Sequence, residues 1–284
     1  MHGGERLAQF FKCRGFSLPL GKRTYIMGIL NVTPDSFFDG GRYNELEKAL
    51  EKARELVKNG ADIIDIGGES TRPGFIPVSE EEELSRVIPV VEVLTRELDV
   101  PISIDTTKSI VAEKALEAGA HIVNDVWGLQ KDSNLAGVVS KYDAGVIIMH
   151  NKEDTIYVDF MCEIMDFLKK SIEIAVNAGI TADHIAVDPG IGFGKTFEHN
   201  IEVMRKLDRL KELRLPILLG TSRKSFIGNI LNLPVTERLE GTAATVALGI
   251  AKGVDIIRVH DVVEMKRVAK VADAIVRGLA EYDK

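Results

Sequence analysis

The chain is short of several residue types, and each shortage removes a class of answer. It has only two cysteines, Cys13 and Cys162, with no CxxC spacing and no histidine close in sequence. Neither a disulfide framework nor a zinc site is expected from them, only two ordinary reduced thiols. Aromatic residues make up 6% of the chain, with a single tryptophan, while Ile, Val, Leu and Ala are plentiful. Parallel sheets buried on both faces favour that balance. Basic residues are in deficit, giving a net charge of −7. That argues against broad nucleic-acid binding and leaves room only for a local basic pocket. No run approaches the roughly 18–20 apolar residues of a membrane span. The first twenty residues hold no apolar stretch long enough for a signal sequence. The expectation is a soluble, cytoplasmic protein with neither a nucleic-acid nor a membrane partner.

What the chain does contain is a repeated alternation. Eight short apolar runs recur: YIMGIL (25–30), DIIDIG (62–67), PISID (101–105), HIVND (121–125), GVIIMH (145–150), HIAVDPG (184–190), PILLG (216–220) and DIIRVH (255–260). They are too short for helices and rich in Ile and Val, so buried parallel strands fit. Between them lie helical patterns. Leu46, Ala49, Leu50, Ala53, Leu56 and Val57 share one face, and Gly60 supplies a stop. Ser79 reads as the N-cap of an acidic first turn, and Pro89 within that helix predicts a break or kink. The last helix places Met265, Val268, Ala272 and Ile275 on one face. Eight strands alternating with eight helices predict an α/β fold, a (β/α)8 TIM barrel in a single domain over 24–284. A doubly wound open sheet is the competitor. Residues 1–23 precede the first strand as an N-terminal extension, a hairpin or cap, with no chemistry assigned.

Barrel enzymes build their sites at the C-terminal ends of strands. Here those ends supply Asn31, Asp65 with Glu69, Asp105, Asn124 with Asp125, His150, Asp188, Ser222 to Lys224, and Arg258 with His260. An isolated strand-end Asp is most often a helix cap or turn residue. Eight polar ends on one rim weaken that reading and predict a shared pocket. Asp105, Asn124 and Asp188 together offer acceptors and an amide, suited to the edge of a heterocycle with several N–H groups. Lys224, Arg258 and His260 bring positive charge, and Arg258 suits a phosphate oxygen pair. Asn31 offers an oxygen for a hard cation such as Mg2+.

Two glycine-rich stretches need separate treatment. "GIGFGKT" (190–196) resembles a phosphate loop, but Pro189 stands where the first Gly of that motif belongs, and Lys195 breaks the dinucleotide pattern. A Gly-rich helix entry remains, with Phe193 exposed incidentally. "ILNVTPDSFFDGG" (29–41) starts as a strand and becomes a loop holding Asp35, Phe37, Phe38 and Asp39. Gly40 and Gly41 permit unusual dihedrals, so a lid that covers a bound substrate is expected there.

These motifs in this order resemble the dihydropteroate synthases of the pterin-binding (β/α)8 family. The matching stretches are "GILNVTPDSFFDGG", "DIIDIGGESTRPG", "SIDTTK", "IVNDVWG", "VDPGIGFGKT", "GTSRKSFIG" and "GTAATVALGIAKGVDIIRVHDV", spanning residues 28 to about 261. The "MHNK" segment departs from the family's "MHM", so His150 receives no catalytic role. The resemblance implies condensation of 6-hydroxymethyl-7,8-dihydropterin diphosphate with p-aminobenzoate, giving 7,8-dihydropteroate and diphosphate with Mg2+ present. It implies pterin binding by Asp105, Asn124, Asp188 and Lys224, and diphosphate binding by Asn31, Thr71, Arg258 and His260, with Asn31 also on the metal. Thr71, Arg72, Pro73, Phe193, Lys224 and Ser225 would form the p-aminobenzoate site, and Asp35, Asp39 and Lys224 the catalytic set. It also implies a homodimer. A methyltetrahydrofolate-dependent corrinoid methyltransferase and a non-catalytic pterin-binding protein are the alternatives.

Overall fold

The computed structural model describes residues 7–32, 41–69 and 78–279, with the backbone alone for 41–45. An antiparallel hairpin comes first, β1 (Phe10–Cys13) and β2 (Phe16–Pro19). Eight parallel strands follow: β3 (Tyr25–Asn31), β4 (Ile63–Gly67), β5 (Ile102–Asp105), β6 (Ile122–Asp125), β7 (Gly145–Met149), β8 (Ile185–Asp188), β9 (Leu218–Leu219) and β10 (Ile256–Val259). Neighbours from β3 to β8 pair in chain order, and β10 joins β3 to β9. A parallel bridge between Val187 and Ile217 closes the ring between β8 and β9. The fold is an α/β TIM barrel, and the open-sheet alternative falls with that closure.

Every residue of β4 to β9 is buried. A barrel wall faces packed side chains on both sides, which is why these runs are continuously apolar rather than alternating. Outward residues such as Ile64, Ile104, Val123, Ile148 and Val187 pack under the helices. Inward residues form a second cluster of Tyr25, Met27, Ile63, Ile122, Ile147, Ala186, Leu218 and Ile256. Phe11 and Cys13 of the hairpin join it, so the extension plugs the lower mouth of the barrel. Burial pushes the Cys13 thiol up to about 12.

The helices are α1 (Gly41–Lys58), α2 (Glu80–Glu97), α3 (Ser109–Glu117), α4 (Leu135–Lys141), α5 (Phe160–Asn177), α6 (Phe197–Arg205), α7 (Ser225–Leu231), α8 (Leu239–Ala251) and α9 (Val262–Val276). Ala49, Ala53 and Leu56 of α1 are buried as their spacing predicts, and Gly60 follows it with φ +101°. The Ser79 hydroxyl accepts from Glu82 N at 3.2 Å. Three expectations need correction. Helix α2 runs without a break through Pro89. Pro89 and Ser85, whose carbonyl loses its i+4 donor, both lie exposed, so water can replace the missing bond. The connection from β9 to β10 carries two helices, because Asn232 takes a left-handed φ of 54° at the end of α7 and Pro234 follows. On α9 the inner face is Met265, Ala269 and Ala272, while Ile275 points outward. No helix among the described residues is long and apolar enough to cross a membrane.

Candidate active site

Strand pleating positions the site. Inward positions recur every second residue, so one step up each strand from the lower apolar cluster comes another inward side chain. Ile63 leads to Asp65, Ile122 to Asn124, Ile147 to Met149, Ala186 to Asp188 and Ile256 to Arg258. Asn124, Met149, Asp188 and Arg258 line an open cavity of about 480 Å3, counting solvent at its mouth, while Asp65 is fully buried behind them. Asp105, Asn124, Asp188, Phe193, Lys224, Arg258 and His260 all face it.

One guanidinium organises the floor. Arg258 donates from Nε to Asp65 Oδ2 at 2.6 Å and from Nη2 to Asp105 Oδ2 at 2.8 Å. Asn124 Nδ2 also donates to Asp65 Oδ2, at 3.2 Å. Asp65 is fully buried, and Oδ1 of Asp105 has no hydrogen-bond partner among the described residues. Burial pushes the Asp105 carboxyl up to about 7; Arg258 opposes that rise and Asp65 adds to it. Burial alone would lower the Arg258 pKa, but Asp65 and Asp105 outweigh it and hold the guanidinium charged. Two carboxylates thus share one cation, and among the described residues Asp105 Oδ1 is left without a donor.

The opposite wall comes from the loops after β8 and β9. Asp188 Oδ1 accepts from Gly190 N at 2.7 Å, and burial raises its pKa. Lys224 Nζ donates to the Ile191 carbonyl and sits 4.2 Å from the centre of the Phe193 ring. Burial lowers its pKa to about 8. Behind them Lys195 Nζ lies 2.8 Å from His150 Nδ1 and donates to Phe193 O at 3.0 Å. Burial brings Lys195 down to about 7 and His150 down to about 2. The Gly spacing of "GIGFGKT" now has a cause. At Gly190, φ is +71° and a Cβ would stand 1.9 Å from the His150 carbonyl oxygen. The loop therefore passes directly against the end of β7, where no side chain fits. It ends at Thr196, whose hydroxyl caps α6 in a capping box with His199. The helix-entry reading holds, while Phe193 is not incidental, since it lines the cavity.

Not every strand-end group turns inward. Asp125 accepts from Trp127 N at 2.8 Å and Leu129 N at 2.6 Å, so for it the turn reading is right. Asn31 is exposed at the rim. A methyl placed on Gly67 would lie 3.6 Å from Asn31 Oδ1 and 3.9 Å from Asp105 Cβ, which sets Asn31 beside the cavity. Ser225 is exposed at the start of α7 and does not line the cavity. Asp35, Asp39, Phe37 and Phe38 lie outside the described residues, as do Thr71, Arg72 and Pro73. Asp65 and Ser222 were named among the polar strand ends but given no role. Ser222 Oγ is 2.9 Å from His260 Nδ1 and orients that ring. The period-two step from Ile63 to Asp65 was the signal for the first, and the position just after the β9 run was the signal for the second.

A family model described as pterin binding enzyme matches residues 27–260. A dihydropteroate synthase from Clostridium beijerinckii is 56% identical over 259 residues, 91% of this chain and 96% of the relative. The chain belongs to the dihydropteroate synthase family. A family structure from Clostridium difficile, solved in the presence of pteroic acid, superposes with a TM-score of 0.89 at 60% identity, covering 91% of this chain and 98% of that one. The family enzyme from Xanthomonas albilineans, solved with 4-aminobenzoic acid, gives a TM-score of 0.89 at 40% identity, covering 94% and 98%.

Proposed function

We infer that this chain condenses 6-hydroxymethyl-7,8-dihydropterin diphosphate with p-aminobenzoate. The observation that carries this reading is the buried trio of Asp105, Asn124 and Asp188 on one cavity, with Asp105 Oδ1 unpartnered among the described residues. A buried carboxylate oxygen without a donor is costly, and a ring edge with several N–H groups relieves it. In this reading Asp105, Asn124, Asp188 and Lys224 hold the pterin. Asp65 and Asp105 take Nε and one N–H of Nη2 on Arg258, and in this reading its other N–H groups meet the diphosphate together with His260, which lines the same cavity. Asn31 is the residue that would hold Mg2+; one protein oxygen at an exposed rim suits an ion that keeps waters and takes phosphate oxygens. When bound, the ion offsets negative charge on the diphosphate.

The bond from the pterin CH2 to the diphosphate oxygen breaks with the electron pair leaving on oxygen. A pterin cation results, and carboxylates around the ring stabilise it electrostatically. The amine of p-aminobenzoate then forms the C–N bond and loses a proton. Asp35 and Asp39 are proposed to act on that cation or order the first loop, and Thr71, Arg72, Pro73, Phe193, Lys224 and Ser225 to place the second substrate. A cytoplasmic homodimer is also proposed; exposed Leu248 on α8 and Val271 and Ile275 on α9 supply apolar surface for a second copy.

The test mixes purified protein with both substrates and Mg2+. Diphosphate release should match dihydropteroate formation one for one. Pterin binding without turnover would favour a binding protein, and methyl transfer from methyltetrahydrofolate the corrinoid alternative.

A further inference from the structure

The loops after β9 and β10 are tied together at two consecutive positions. Arg223 Nε donates to Asp261 Oδ2 at 2.9 Å, and its Nη2 donates to Asp261 Oδ1. One residue earlier, Ser222 pairs with His260, and both line the cavity. Ser222 is 7% exposed, so its hydroxyl has to find its partners within the protein. Oγ accepts from His260 N at 3.1 Å and lies 2.9 Å from His260 Nδ1. A hydroxyl has one proton to give and two lone pairs. One lone pair takes the main-chain N–H. Among the described residues, Nδ1 is the one acceptor that pairs with the proton. If Nδ1 carried the hydrogen instead, Oγ would accept twice and a buried O–H would have nowhere to donate. The hydroxyl therefore donates to Nδ1, and the neutral ring of His260 carries its proton on Nε2.

We propose that Ser222 is a positioning residue that fixes His260 in the Nε2–H tautomer, so that the ring meets the leaving diphosphate as a hydrogen-bond donor. This rests on the reading that His260 contacts the diphosphate. Ionised diphosphate oxygens are acceptors, so a ring nitrogen that turned a lone pair towards them would repel the group it has to hold. The two donors proposed for the diphosphate are then each oriented from within the protein. Asp65 and Asp105 hold the Arg258 guanidinium, and Ser222 holds the His260 ring. The competing role is a plain tie between two loops. The Arg223–Asp261 ion pair already supplies such a tie one residue on, which leaves the tautomer as the distinct contribution of the hydroxyl.

Nitrogen NMR and kinetics on the full-length protein separate the two roles. In wild type carrying isotope-labelled histidine, His260 Nδ1 should resonate as an unprotonated ring nitrogen and Nε2 as a protonated one, with His260→Gln assigning the signals. In Ser222→Ala the two signals should move towards each other. The kcat/KM for the pterin diphosphate should fall about tenfold in that variant, while KM for p-aminobenzoate stays within about twofold. Affinity for 6-hydroxymethyl-7,8-dihydropterin, which has the ring and no diphosphate, should also stay within about twofold. Ser222→Thr keeps the hydroxyl and should recover most of the loss. His260→Gln offers an amide N–H that needs no tautomer, so adding Ser222→Ala to it should cost less than about twofold more. The proposal is overturned if the wild-type ring carries its proton on Nδ1, if Ser222→Ala weakens both pterins alike, or if its cost is undiminished in the His260→Gln background. A wild-type protein that forms no dihydropteroate would instead refute the function on which the proposal rests.

Discussion

The lower and upper halves of the barrel interior are built from the same strands one pleat apart, yet they are opposite in character. Below, Tyr25, Met27, Ile63, Ile122, Ile147 and Ile256 pack with Phe11 and Cys13 into a dry plug. Above, Asp65, Asp105, Asn124, Asp188 and Arg258 are also buried or nearly so, but every contact among them is polar. The lower layer gains stability by removing apolar surface from water, each large side chain contributing about 1.5–3 kcal/mol. The upper layer spends stability on desolvated charge that a ligand can use. The hairpin makes this division possible, because it closes the lower mouth and leaves the upper one open. Stability and function therefore occupy different levels of one tube, and substitutions at the two levels should fail in different ways.

The largest failure is expected at Arg258. Arg258→Met strands Asp65 and Asp105 without their cation, and breaking a buried pair from one side typically costs about 3–5 kcal/mol. Turnover should fall by on the order of 10²–10³-fold, since the same side chain is proposed to meet the leaving diphosphate. Urea unfolding and steady-state kinetics on the same preparation measure both losses. One pleat lower, Ile122→Ala should cost about 2–5 kcal/mol in urea unfolding through transfer and cavity terms. The folded fraction should nevertheless keep KM values within about twofold of wild type. A large KM change in Ile122→Ala would show that the two layers are mechanically coupled and that the division is too sharp.

The sequence displays these two levels unequally. The strands are legible because a barrel wall buries both faces and leaves continuous Ile and Val runs. The polar rim is legible because each run ends in a polar group. What each rim residue faces is not legible until register is known. Asn124 and Asp125 are adjacent, yet one turns into the cavity while the other holds a turn. The pairing of Arg258 with Asp65 and Asp105 joins positions 193 and 153 residues apart, and it is the pairing of β10 with β3 that brings them together. Pro89 and Ile275 misled for a related reason. Local rules predict a break and a buried face, but both residues lie on the outside of the molecule, where solvent tolerates either.

The effect that most directly separates the layers is titration. The Asp105 carboxyl is raised from 3.8 to about 7, chiefly by burial. Between those values the folded protein holds a proton that the unfolded chain has released. Stability from this group is then fully present below pH 3.8 and declines as pH rises towards 7. Asp105→Asn removes the titration while keeping a similar shape. In urea unfolding at one-unit steps from pH 4 to 8, the variant should gain on wild type as pH rises, and the gap should level off above 7. An equivalent comparison with Ile122→Ala should give a gap independent of pH, since that residue carries no charge. A gap that stays flat from about pH 5 to 8 would mean that Arg258 keeps Asp105 ionised throughout. The upper layer would then be a closed salt-bridge network rather than a site with an acceptor left for its ligand.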